Sequence, residues 1–69
     1  RKMVNSNKIK GRLVEFGLTQ KDVSVALNIA QATANQKINN VRPMDLEEAE
    51  CLSKLLKIGP ENFCEYFFV

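Results

Sequence analysis

"LTQKDVSVALNIAQATANQKINN", Leu18 to Asn40, is the stretch whose reading decides the fold. Its first part, Thr19 to Leu27, carries Val23, Ala26 and Leu27 at the spacing of one helix face. Thr19 with Asp22 three residues on approximates a capping box, although aspartate is shorter than the usual glutamate. Asn28 follows, and asparagine tolerates the left-handed backbone of a tight turn. The remaining part, about Gln31 to Asn39, is helix-forming in composition yet nearly bare of bulky apolar side chains. At about 100° per residue, Ala30, Ala34, Ile38 and Val41 gather on one side. Ala32, Thr33, Gln36 and Asn39 gather on the other, with Lys37 toward one edge and Gln31 projecting from the N-terminus. A small domain needs its helices to fill a core. This one has a narrow inner side, suited to close packing on its predecessor, and an outer side of donors and acceptors suited to another molecule.

The flanking segments predict more helices. From about Ser6 to Phe16, with Asn5 or Ser6 as cap, Ile9, Leu13 and Phe16 share one face, and Gly17 ends the run. From about Leu46 to Leu56, Asp45 caps, Glu48 stands in the capping-box position, and Leu46, Ala49, Leu52, Leu55 and Leu56 form an apolar stripe. Glu47 and Glu48 near its start and Lys54 and Lys57 near its end suit the helix dipole. Ile58 is expected in the core. Pro60 opens a last segment, "PENFCEYFFV", which holds four of the five aromatic residues. Short connections between helical patterns imply an all-α, compact cluster of five helices spanning residues 6–69, preceded by a flexible N-terminal segment, 1–5. Met3 is the expected natural start, with Arg1-Lys2 a cloning or processing remnant.

Sixty-nine residues make one domain at most. Such a chain buries only about 60% of its unfolded surface, so association with a second copy would help it. A content of 45% hydrophobic and 26% charged residues argues against disorder. No apolar run approaches about 18 residues, which gives no sign of a membrane span, and no signal-peptide pattern appears. Cys51 and Cys64 lack Cys-x-x-Cys or histidine company and read as two reduced, mostly buried thiols of a cytoplasmic protein. The net charge of +2 is unevenly placed. Residues 1–44 hold eight cationic against two acidic side chains, a balance of +6; residues 45–69 hold two against six, a balance of −4. A polyanion facing the first part is the functional reading of that division, and chance unevenness of a solvated surface is the bland one.

An enzyme is the weakest reading. The chain has no histidine, no nucleophile with an evident activating partner and no glycine-rich phosphate loop. Nor is a metal, cofactor or small-molecule ligand implied.

The quoted stretch resembles the helix-turn-helix of the λ repressor and Cro family, also called the XRE-like family. The resemblance extends through the first segment and "RPMDLEEAECLSKLLKI", covering nearly the whole chain. Chain length and the "NQKINNVRP" exit are similar to small phage or prophage regulators. It implies a five-helix DNA-binding domain in the bacterial or phage-infected cytoplasm, associated with the nucleoid. Its partner would be a double-stranded operator, bound as a homodimer. Base contacts would come from Gln31, Ala32, Thr33 and Gln36, with Asn35 added. Backbone contacts would come from Thr19, Gln20, Asn39 and Arg42, Gln20 also bracing the first residue of the recognition helix. Charge and geometry add Lys37 to the phosphate set. Phe67, Phe68 and Val69, at the chain end, are the expected dimer contacts. Lys8, Lys10 and Arg12 read as a solvated face.

The sequence also departs from the family pattern. Asn28 stands for the usual turn glycine, Ser24 for a small alanine, Asn40 for a glycine, and Ala34 for a large anchor, so that Ile38 and a neighbouring aliphatic must hold the helix. Two alternatives stay open: a protein-binding helical module of antitoxin or adaptor type, and a dimerisation domain of a longer repressor.

Overall fold

Local chemistry sets where each helix begins and ends. The computed structural model describes residues 3–68. Helix α1 spans Ser6–Glu15, α2 Gln20–Leu27, α3 Gln31–Ile38 and α4 Leu46–Leu55; a 3-10 turn, Pro60–Asn62, leads into a single-turn α5, Phe63–Tyr66. The Asn5 side chain accepts the Lys8 N–H at 3.2 Å to start α1. Thr19 N–H donates to the Asp22 carboxylate at 2.8 Å at the start of α2. Asp45 and Glu48 complete the box of α4: Glu48 N–H donates to Asp45 at 2.8 Å and Asp45 N–H to Glu48 at 3.1 Å.

All four longer helices end in the same way. Gly17, Asn28, Asn40 and Lys57 have φ of 68°, 57°, 63° and 56°, the left-handed region. Each is followed by an N–H that reaches back five residues: Leu18 to Leu13, Ile29 to Ser24, Val41 to Gln36 and Ile58 to Ser53, at 2.8–3.0 Å. This is the Schellman closure, which satisfies carbonyls the helix leaves over. Glycine and asparagine are legible stop signals; Lys57 is not, and takes the strain without one.

Among the described residues there is no strand, only an antiparallel bridge between Val4 and Phe67. The core is Val4, Ile9, Leu13, Val23, Ala34, Ile38, Met44, Ala49, Leu52, Leu56, Ile58 and Phe67. Helix α2 packs on both α3 and α4, and α5 packs on the 3-10 turn and α1. Ala34, Ile38 and Met44 are all fully buried and belong to the same core cluster. Ser24 and Ser53 are buried, but their hydroxyls donate to the carbonyls of Lys21 and Glu50, both at 2.7 Å. Neither polar group is stranded.

Several sequence expectations are corrected. The folded unit begins before Ser6: Val4 is 2% exposed and Asn5 N–H donates to the Tyr66 carbonyl at 2.8 Å. Val41, expected inside, is 70% exposed, because the left-handed turn at Asn40 takes it off the helix, and Met44 fills the core instead. Ala26 and Leu46 face solvent. Phe16 leaves the Ile9–Leu13 face and lies under the Arg12 guanidinium at 4.8 Å. Cys51 and Cys64 are free, as expected, but exposed. At about 100° per residue Cys51 falls opposite the Ala49–Leu52–Leu56 stripe, so its exposure follows from spacing. Arg12 is no solvated cation: Nε donates to the Leu56 carbonyl at 2.9 Å and Nη2 to the Lys57 carbonyl at 3.1 Å, capping the negative end of α4.

Candidate nucleic-acid interface

Helix α3 is eight residues long and follows α2 after a turn of three, residues 28–30. The Asn28 backbone turns the chain, and the small Ala34 lets α3 lie close against α2. Gln31, Ala32, Asn35 and Asn39 are exposed; Thr33, Gln36 and Lys37 are half-buried. Gln31, Asn35 and Asn39 recur every four residues and so form one stripe along the helix.

The amides differ in what they have left to give. Among the described residues, the Gln31 and Gln36 side chains make no hydrogen bond within the chain. Asn39 Nδ2 donates to the Asn35 carbonyl at 2.9 Å and to the Asn35 side-chain oxygen. That pair is pre-oriented, and part of its capacity is already used. The N-cap of α3 is Ala30, which offers no side-chain acceptor. The N–H groups of Gln31, Ala32 and Thr33 therefore point out of the helix start without a partner among the described residues.

The expected phosphate set divides. Arg42 is exposed and without an ion-pair partner among the described residues. Its own N–H donates to the Gln36 carbonyl at 3.2 Å, so it leaves directly from the end of α3. Lys37 does not face outward as a spare cation. Its Nζ donates to Glu48 at 2.7 Å, with both side chains about 15% exposed, and approaches the Pro43 carbonyl at 3.4 Å. The spare hydrogen of the Thr19 hydroxyl goes to Asp22 at 3.1 Å. Gln20 is half-buried, and the expected brace to Gln31 is not formed. Lys8 pairs with Glu65 at 3.0 Å. Part of the charge division seen along the sequence is thus closed inside the molecule. Lys10 and Lys21 remain exposed and unpaired among the described residues.

The aromatic end is mostly structural. Phe67 is 1% exposed, so its surface is used within the chain and is not open to a second copy. Phe68 is half-buried at φ 59°, 6.1 Å from the Phe63 ring; Val69 lies outside the described residues. Among the described residues no cluster of histidine, cysteine, aspartate and glutamate is placed to hold a metal ion. No described helix is long and apolar enough to cross a membrane. No family model, curated protein or solved structure matches the chain.

Sequence reasoning missed three contributions to how the charged and amide side chains are used. They are the Lys37–Glu48 pair, the Arg12 cap and the Asn40 side chain, which bonds to Val4 across 36 positions of sequence. Only Asn40 carried a signal, as a turn former; its partner lies too far along the chain to be read locally.

Proposed function

We propose that this chain is a sequence-specific regulator of transcription that binds double-stranded DNA, with α2 and α3 as a helix-turn-helix of the λ repressor and Cro type. One observation carries the reading: α3 fully buries only Ala34 and Ile38, and the exposed Gln31 and half-buried Gln36 keep side-chain amides without a partner among the described residues. With its side chains an α-helix is about 10–12 Å across, which fits a major groove about 12 Å wide. A glutamine amide donates and accepts together, which matches the paired groups on an adenine edge. Ala32 and the Thr33 methyl suit thymine methyls, and Asn35 adds a further amide beside them. Arg42 at the exit, with Lys21 on α2, supplies phosphate contacts that fix register. The unpartnered N–H groups of Gln31, Ala32 and Thr33 favour an anion at the start of α3. As a homodimer the protein would place two copies of α3 in successive major grooves about 34 Å apart, on a near-palindrome.

Selection from a random duplex pool, with Gln36→Ala run beside the parent, tests this. The parent should enrich a two-fold site, and Gln36→Ala should cost about 1–3 kcal/mol on that site and little on others. Equal loss on all sequences removes Gln36 from base reading. Binding that ignores added salt, or no enrichment, refutes the DNA reading and leaves a protein partner as the target of α3.

A further inference from the structure

The Asn40 side chain stands where a strand would. Val4 N–H donates to Asn40 Oδ1 at 2.8 Å, and Asn40 Nδ2 donates back to the Val4 carbonyl at 2.9 Å. The carboxamide therefore satisfies both backbone groups of one residue, as the rung of a sheet does. Val4 is bridged on its other side to Phe67. Nδ2 also reaches Ser6 Oγ at 3.3 Å, and that hydroxyl donates to the Ile38 carbonyl at 2.5 Å. The last turn of α3 is thus tied to the N-terminal segment, which is tied in turn to the C-terminal one. The same asparagine supplies the left-handed turn that lets Val41 and Arg42 N–H close on the Gln36 carbonyl.

We propose that Asn40 is a positioning residue of the DNA-contacting face: its carboxamide couples docking of the N-terminal segment to the placement of the α3 exit and Arg42. The inference rests on the DNA reading above. Helix α2 holds α3 along its buried side, and the Asn40–Val4 latch holds its C-terminal end. If duplex binding needs that end in place, the duplex and the docked segment stabilise each other by the same factor. An asparagine present only for its backbone would be replaced without loss by glycine, which adopts positive φ freely. The two bonds to Val4 are what glycine cannot supply.

The test is Asn40→Gly in the full chain, read by circular dichroism, amide exchange and duplex affinity on the enriched site. Helix content should be retained. Val4 amide exchange in the free protein should rise about ten-fold, and duplex should slow it in the parent. Affinity should fall about ten-fold, the loss of two net hydrogen bonds, and the salt slope should fall by no more than the roughly 0.9 that one phosphate contact at Arg42 contributes. Asn40→Asp, which accepts from Val4 N–H but opposes its carbonyl, should speed Val4 exchange as the glycine variant does, and that exchange is its only readout because the added charge itself repels a duplex. If either variant fails to fold, Ser6→Ala loosens the same end, and a two- to three-fold affinity loss (roughly one weak hydrogen bond) is expected. Unchanged affinity in a folded Asn40→Gly with faster Val4 exchange overturns the positioning role alone. Unchanged Val4 exchange overturns the latch. A parent chain that binds no duplex overturns the DNA reading and this inference with it.

Discussion

Lys37→Met separates two roles that the sequence alone does not distinguish. Methionine keeps most of the apolar stem and removes the ammonium. In the structure that ammonium sits 2.7 Å from Glu48, with side chains 15% and 16% exposed. Exposed ion pairs contribute about 0–1 kcal/mol, whereas breaking a fully buried one costs about 3–5 kcal/mol. This pair lies between those limits, so Lys37→Met should cost about 1–2 kcal/mol of stability. Urea unfolding at fixed temperature gives that number, provided the slope with denaturant stays constant. Glu48→Gln supplies the second arm of the cycle. It removes the charge but keeps an oxygen to accept the Asp45 N–H, so the capping box of α4 survives. The double variant should show a coupling of about 1 kcal/mol. In duplex binding, Lys37→Met should leave the salt slope within a few tenths of the parent value. A phosphate ligand would lower it by about 0.9. A coupling near zero together with that drop in slope would refute the internal pairing and return Lys37 to the proposed phosphate contacts.

Three further outcomes follow from the geometry. Arg42→Ala should weaken binding to all duplexes alike and lower the salt slope by about 0.9, since Arg42 is exposed and without an ion-pair partner among the described residues; loss confined to one sequence would make it a base contact. Asn28, at φ 57° and ψ 47°, should tolerate glycine within about 0.5 kcal/mol, whereas Asn28→Val should cost about 1–2 kcal/mol in thermal or urea unfolding. Equal behaviour of the two variants would mean the left-handed turn is not needed. Leu52→Ala removes a fully buried side chain from the centre of α4 and should cost about 2–5 kcal/mol, a large fraction of the stability of so small a domain; a cost under about 1 kcal/mol would place Leu52 outside the core.

The elements were legible where a local rule governs them. Asn5, Thr19 and Asp45 start helices in the structure as their chemistry predicts, because a cap bonds only three residues away. Gly17 and Asn28 end helices because positive φ favours them. The burial of Ile9, Leu13, Val23, Ala34, Ile38, Ala49 and Leu52 follows from the helical period. Spacing failed where the chain leaves that period: Val41 after the turn at Asn40, and Leu46 at the first position of α4. Pro60 predicts a helix through the aromatic end, but the chain forms a 3-10 turn, one helical turn and then extended Phe67.

For the candidate interface, the sequence by itself determined the amide-rich character of α3, its small inner side and the break at Asn28, since composition and periodicity are local properties. Only the tertiary structure decided which polar groups remain available there. It turned Lys37 toward Glu48, used Arg12 to cap α4, buried Phe67, and joined Asn40 to Val4. The physical reason is that a charge or an amide takes whichever partner the fold brings within about 3 Å, and such partners lie up to 36 positions away along this chain.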